Sequence, residues 1–266
     1  MTKPSWQDFG TFDESAYPEL WDGVVGAWCP SLGPTGLRLH DHSRSVNWGT
    51  LTNMDAATDW TLSGGQYALD YDGTDDTVSH SNLAMTGAFG VSLWFLKRTN
   101  GIYNARILWG NVADADTYVG NVTLTTINTQ SNTTGQQKNY TFSVANNQWY
   151  HFALSRDAAN GVRMFLNGVE STSGVQTVTG TYTLNRIGQY ADNAGGNVGF
   201  MWDGLLDDMT VFNRPLPADQ IRRLYLLGRG GMYERRRRTL RRVGVEQAGF
   251  RAYWARRQNQ IIGGGV

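Results

Sequence analysis

A chain of 266 residues is long enough for one large domain, or two small ones, with a real hydrophobic core. Ten Trp, twelve Tyr and 32 Gly with few helical patterns favour an all-β protein, and a single cysteine, Cys29, excludes an internal disulfide. The formal net charge of zero hides an opposition: residues 1–219 hold 11 basic and 21 acidic side chains, whereas residues 220–266 hold 12 Arg and two Glu, so the body is acidic and the end is basic.

The first stretch, "MTKPSWQDFGTFDESAYPEL", lacks the apolar run of a signal peptide, and nothing in the chain approaches the roughly 18 apolar residues of a membrane span. Residues 1–19 read as an irregular lead-in. From "GVVGAW" at 23–28 the text becomes strand-like. "GVSLWFLKR" (90–98) is apolar at successive positions, which predicts a strand buried on both faces. "QWYHFALSR" (148–156) and "DMTVFNR" (208–214) are further strands, and Asn167-Gly168 within "VRMFLNGVES" is a strong hairpin signal. Short strands at roughly ten-residue spacing argue for a two-sheet antiparallel sandwich. "PLPADQIRRLYLLGRGG" is the clear helix: Pro217 and Asp219 suit its start, Ile221, Leu224 and Tyr225 make an apolar stripe, and Gly228 is a natural stop. The expected organisation is therefore a lead-in (1–19), a β domain (20–228) and a basic, aromatic arm (229–266).

These segments together resemble the LamG-like jelly-roll family of the concanavalin A-like lectin/glucanase fold. The stretches that carry the resemblance fall in the family's order: "GVVGAWCPS", "LHDHSRSVNWGTLTN", "YALDYDGTDDTVSHS", "MTGAFGVSLWF", "NNQWYHFALSRD", "VRMFLNGVE" and "FMWDGLLDDMTVFNRPLPADQI". The resemblance implies a jelly-roll sandwich over about residues 20–227, with Trp94, Trp149, Phe152, Phe165 and Phe212 filling its core. It also implies a structural Ca²⁺ in many members. Here the candidate ligands are Asp70, Asp72, Asp207 and Asp208, with Asp75 and Asp76 beside them, and Asp207 matches the Asp of the family's G-x-I-D-E-V motif.

Some relatives in this fold hydrolyse β-glucans with an E-x-D-x-x-E strand. None of the five Glu (Glu14, Glu19, Glu170, Glu234, Glu246) opens that pattern. Asp207 and Asp208 are adjacent, so on a regular strand they point to opposite faces and make a poor acid and nucleophile. No zinc, nucleophile-elbow or phosphate-loop motif occurs. The chain is thus expected to be non-catalytic. Glycan binding is the usual assignment for the fold and would use aromatics in loop-like text: Trp48, Tyr190 and Trp202, with Tyr103 and Tyr118 as further candidates.

The arm begins a different text. "ERRRRTLRR" places Arg235, Arg236, Arg237, Arg238, Arg241 and Arg242 together, and "GFRAYWARRQNQII" adds Phe250, Tyr253 and Trp254. Three readings are open: a solvated tail, nucleic-acid binding through phosphates and base stacking, and a docking arm on another copy or another protein. A jelly roll with such an arm and no export signal resembles bacteriophage decoration and fibre modules. That resemblance implies a virion structural component fastened by residues 229–266, with partners among virion proteins or copies of itself, and with cell-surface glycan as a further ligand. The alternatives are a carbohydrate-binding module of a secreted or cell-surface system, and a nucleic-acid-associated protein.

Overall fold

The computed structural model describes residues 17–100, 106–113, 117–189 and 200–233. They form two antiparallel sheets packed face to face. The first contains β1 (Val24–Trp28), β4 (Trp60–Ser63), β5 (Gln66–Asp72), β7 (Phe89–Lys97), β12 (Trp149–Arg156), β13 (Gly161–Leu166), β14 (Val169–Glu170), β15 (Gln176–Thr177) and β17 (Asp203–Phe212). Its order is β14-β13-β12-β7-β17-β5-β4, with β1 on β17 and β15 on β13. The second contains β2 (Arg38–Leu39), β3 (Gly49–Thr52), β6 (Thr77–Met85), β8 (Arg106–Gly110), β9 (Tyr118–Val122), β10 (Thr126–Gln130), β11 (Lys138–Thr141) and β16 (Tyr182–Ile187). Its order is β11-β10-β9-β8-β16-β6-β3-β2. This is the expected jelly-roll sandwich. The Asn167-Gly168 hairpin is formed, with both residues at positive φ, as a tight two-residue turn requires.

The core is double. Between the sheets lie Trp28, Trp109, Leu69, Phe95, Phe152, Trp202 and Leu206. A second cluster covers the other face of the first sheet, where Ala153, Phe165 and Phe212 meet helix α1 (Pro18–Trp21), helix α2 (Ala218–Leu227) and the turn Gly231–Tyr233. The two-sided burial expected of β7 follows from this, because one of its faces meets the other sheet and the other lies under α2 and its neighbours. It also divides the five expected core aromatics. Phe152 faces the opposite sheet, Phe165 and Phe212 face the helices, and Trp94 and Trp149 are only half-buried, under Tyr225 and Arg229.

The stripe on α2 behaves as read: Ile221 and Leu224 are buried, and Tyr225 stacks on Trp94 with ring centroids 5.9 Å apart. Packing continues past Gly228. Arg229 lies over the Trp149 ring at 4.0 Å and Tyr233 meets Trp21 edge-on at 5.3 Å, so the packed body reaches Tyr233. The Arg cluster at 235–242 with Phe250, Tyr253 and Trp254 lies outside the described residues, as do Tyr103 and Tyr190. No helix among the described residues is long and apolar enough to cross a membrane.

Candidate functional site

The register of the second sheet separates its two faces. Val78, Trp109, Val119, Val122, Ile127, Tyr140 and Ile187 point into the core. The alternate positions point outward. They form one row through Arg38, Thr50, Ser79, Arg186, Gly110, Tyr118 and Gln130, each paired with the next across neighbouring strands. A second row runs Ile107, Asn121, Asn128, Asn139. Gly120, at φ +77, is the extra residue that keeps both rows aligned: it lets Asn121 and Val119 pair with the adjacent residues Asn128 and Thr129.

This outer face is built from amides and hydroxyls. Asn185 Nδ2 donates to Asn82 Oδ1 at 2.8 Å and to Asn111 Oδ1 at 3.3 Å. Gln137 Nε2 donates to Asn128 Oδ1 at 3.3 Å, and the Tyr118 hydroxyl to Gln130 Oε1 at 3.4 Å. Ile107, Tyr118, Asn121 and Asn128 form a buried floor, while Ser79, Arg186 and Gln130 are partly exposed. Asn121 Oδ1 is buried with no hydrogen-bond partner among the described residues, a state that costs about 1–3 kcal/mol. Amides both donate and accept in a plane, so such a face can bind vicinal hydroxyls.

The aromatics expected to contact a glycan are dispersed. Trp48 lies at the edge of this same face: a Cβ on its neighbour Gly49 would meet Val78 Cγ1 at 2.5 Å, which sets Gly49 inward and Trp48 outward. Its ring is already engaged, by the Arg38 guanidinium at 4.2 Å and by His40 stacked at 4.9 Å. Trp202 corrects the sequence reading. It is 0% exposed, packed edge-on against Phe95 at 5.5 Å, and cannot touch a ligand. The loop-like text around it misled because its burial comes from residues distant in sequence, Phe95 on β7 and the core cluster between the sheets. Arg186, Asn128 and the Asn82–Asn111–Asn185 trio were not singled out from the sequence. Their signal is a run of alternating polar residues, which takes on meaning once the strands are placed side by side.

The four candidate calcium ligands do not form one site. Asp70 pairs with Arg98. Asp72 belongs to a turn with Asp75 and Asp76, where Asp72 Oδ1 accepts the Thr74 N–H at 2.7 Å and Asp76 Oδ2 accepts the Asp72 N–H at 2.9 Å. Burial, with neighbouring carboxylates adding to it, pushes Asp76 up to about 6. This turn has the hard oxygen donors that Ca²⁺ prefers.

Asp207 and Asp208 lie elsewhere, and they also depart from the expected geometry. A register break after Asp207 and φ +51 at Asp208 bring both carboxylates, with Cys29, into one buried cluster instead of onto opposite faces. Asp207 accepts from Ser31 N at 3.0 Å and from the Ser31 hydroxyl, with Arg229 Nη1 at 3.6 Å. Asp208 accepts from Cys29 Sγ at 2.8 Å and from the Gly230 N–H. Burial raises the pKa of both acids and of the Cys29 thiol. A guanidinium and a thiol already occupy this cluster, so it does not fit calcium. Beside it is a cavity of about 10 Å³ lined by Ser92, His151, Asp208 and Thr210, room for one water. Ser92 Oγ lies 2.9 Å from His151 Nε2, but His151 Nδ1 has no hydrogen-bond partner, so no charge-relay triad is formed under α2.

A laminin G family model described as "Concanavalin A-like lectin/glucanases superfamily" matches residues 72–222. The chain belongs to this superfamily. Solved structures agree on the fold of this superfamily member. Domain 4 of AbnA, a GH43 extracellular arabinanase from Geobacillus stearothermophilus, solved with arabinotriose, is similar with a TM-score of 0.57 at 18% identity, over 76% of this chain and 98% of that one. The binding domain of Paraclostridial Mosquitocidal Protein 1 has a TM-score of 0.57 at 13% identity, over 77% of this chain and 52% of that one. Trypanosoma rangeli sialidase in complex with sialic acid has a TM-score of 0.53 at 16% identity, over 77% of this chain and 33% of that one. The superfamily member thus spans about half of the toxin domain and a third of the sialidase. At these identities the likeness concerns fold alone. No curated protein matches the chain.

Proposed function

We propose that this protein is a non-catalytic carbohydrate-binding and structural module. Its ligand lies across the outer face of the second sheet, and its basic arm fastens it to a larger assembly of the bacteriophage virion type. The observation that carries the binding half is the two-row face itself, with the partly exposed Ser79, Arg186 and Gln130 beside the amide-lined floor of Asn121 and Asn128. The arabinanase domain, solved with arabinotriose, shares the sandwich, which favours a sugar as the ligand. Binding is favoured over hydrolysis because the close pair Asp207–Asp208 is held by Ser31, Arg229 and Gly230 and adjoins only a one-water cavity. The assembly half rests on the composition of residues 234–266. A structural Ca²⁺ belongs, in this reading, at the Asp72–Asp75–Asp76 turn.

Binding is tested by titrating neutral and acidic oligosaccharides into the full chain and into a variant with Asn121→Ala and Asn128→Ala. Loss of binding at unchanged melting temperature supports the reading, and unchanged binding removes the face from it. The arm is tested by light-scattering mass of the whole chain and of one ending at Tyr233, at low and high salt. A defined oligomer that needs the arm supports assembly. Equal monomers, with DNA binding that falls steeply in salt, turn the arm toward nucleic acid.

A further inference from the structure

Acidic and basic side chains are divided unevenly between the sheets. The strands of the first sheet carry six acids (Asp70, Asp72, Glu170, Asp203, Asp207, Asp208). The strands of the second sheet carry none, but they hold Arg38, Arg106, Lys138 and Arg186. In a body with ten more acids than bases up to residue 219, this leaves one sheet whose strands carry no acid.

Three of those four cations are occupied or turned away. Arg106 reaches Asp203 at 3.7 Å and donates to the Met201 carbonyl at 2.7 Å. Lys138 shares a register row with Thr129 and Val119, on the core side. Arg38 lies over Trp48. Arg186 differs. It stands in the middle of the outward row, between Ser79 and Gly110, and among the described residues its one hydrogen bond is from Nη1 to the carbonyl of its own neighbour Asn185, at 3.2 Å. No carboxylate pairs with it among the described residues. Gly110 puts no side chain between it and Tyr118 two strands away, a span of about 10 Å at the ordinary strand spacing.

We propose that the outer face of the second sheet selects saccharides bearing an oxyanion, a carboxylate or a sulfate ester, and that Arg186 reads that group while the neighbouring amides and Tyr118 take the hydroxyls. The inference rests on the carbohydrate-binding reading above and names its ligand class. A guanidinium presents parallel N–H donors that match two oxygens of a carboxylate or sulfate at once, and its charge stays on at any working pH. The acidic body repels an anion at long range, so a single unpaired cation on a sheet whose strands carry no acid is where an anionic sugar loses least and gains most.

The test is a printed array of neutral, uronate-, sialate- and sulfate-bearing oligosaccharides, followed by calorimetric titration of the best short ligand. It uses the full chain and its Arg186→Ala and Arg186→Lys variants. Short ligands with one charge are used because the arginine-rich arm binds long polyanions by itself. The expected result is retention of acidic members over their neutral counterparts, at least a tenfold loss in Arg186→Ala, and a smaller loss in Arg186→Lys, which keeps charge without the fork. Uronate and sialate members against sulfated ones decide between carboxylate and sulfate. Neutral sugars bound equally well, or acidic ones bound equally by Arg186→Ala, overturn the proposal while the binding face stands. No retention of any sugar overturns both. If Arg186→Ala melts early, Arg186→Gln with unchanged melting temperature replaces it.

Discussion

Replacing Arg229 by Met tests whether the buried acids are held by the segment after α2. Arg229 is 8% exposed at its side chain and Asp207 0%, with 3.6 Å between Nη1 and Oδ2. Met keeps an apolar chain over the Trp149 ring but removes the charge and the hydrogen bond to the Ser63 carbonyl. Breaking a buried pair from one side costs about 3–5 kcal/mol, because the remaining charge is left unpaired. In a domain of this size that lowers the melting temperature by roughly 10 °C. Asp207→Asn in the same chain removes the orphaned charge, so the double variant should recover more than half of the loss. The pH dependence has a definite sign. Burial raises the pKa of Asp207 and Asp208 in the folded state. A raised carboxyl stabilises the fold below its unfolded pKa and loses that contribution as pH rises through the folded value. The deficit of Arg229→Met is therefore largest at neutral pH and shrinks toward the ordinary carboxylate range, as the acids protonate. Urea unfolding at several pH values measures it. A deficit under about 1 kcal/mol at pH 7, or one that grows in acid, refutes the reasoning.

Other outcomes follow from the same geometry. Trp202→Ala should cost about 3–5 kcal/mol of stability in denaturant unfolding, whereas a surface contact residue would cost under about 0.5. Gly204→Ala should prevent folding or destabilise severely, since its Cβ would lie 1.9 Å from the Leu96 carbonyl oxygen; a soluble variant with native melting temperature contradicts the register of β17 on β7. Burial lowers His80 to about 4 and His151 to about 3. Both therefore stabilise the fold fully above their unfolded pKa near 6.5, and each withdraws about 1.4 kcal/mol per pH unit as pH falls from there toward 4. Imidazole proton shifts that stay constant from pH 8 to 5 confirm it, and shifts that titrate near 6.5 contradict it. Millimolar Ca²⁺ should raise the melting temperature, and Asp76→Asn should abolish that increase; an increase that survives the substitution places the ion elsewhere.

Local patterns in the chain were enough for β1, β7, β12, β17, the Asn167-Gly168 hairpin and α2, because alternation, turn chemistry and a helical stripe are set by near neighbours. The order of seven family-like stretches was enough for the sandwich. The functional face needed the fold. Ser79, Tyr118 and Arg186 are far apart in the chain and are brought into one row only through strand pairing. The acid-free character of the second sheet is invisible until each strand is assigned to its sheet. Asp207 and Asp208 show the same limit from the other side: on a regular strand they must diverge, and the register break against β7, with Asp208 at φ +51, turns them together. Trp202 stands among loop-like neighbours in sequence, whereas its burial is decided by Phe95 on β7 and the rest of the core cluster. Periodicity and turns are local and were legible in the sequence. Charge segregation, bulge geometry and burial depend on non-local pairing, and the tertiary structure alone decided them.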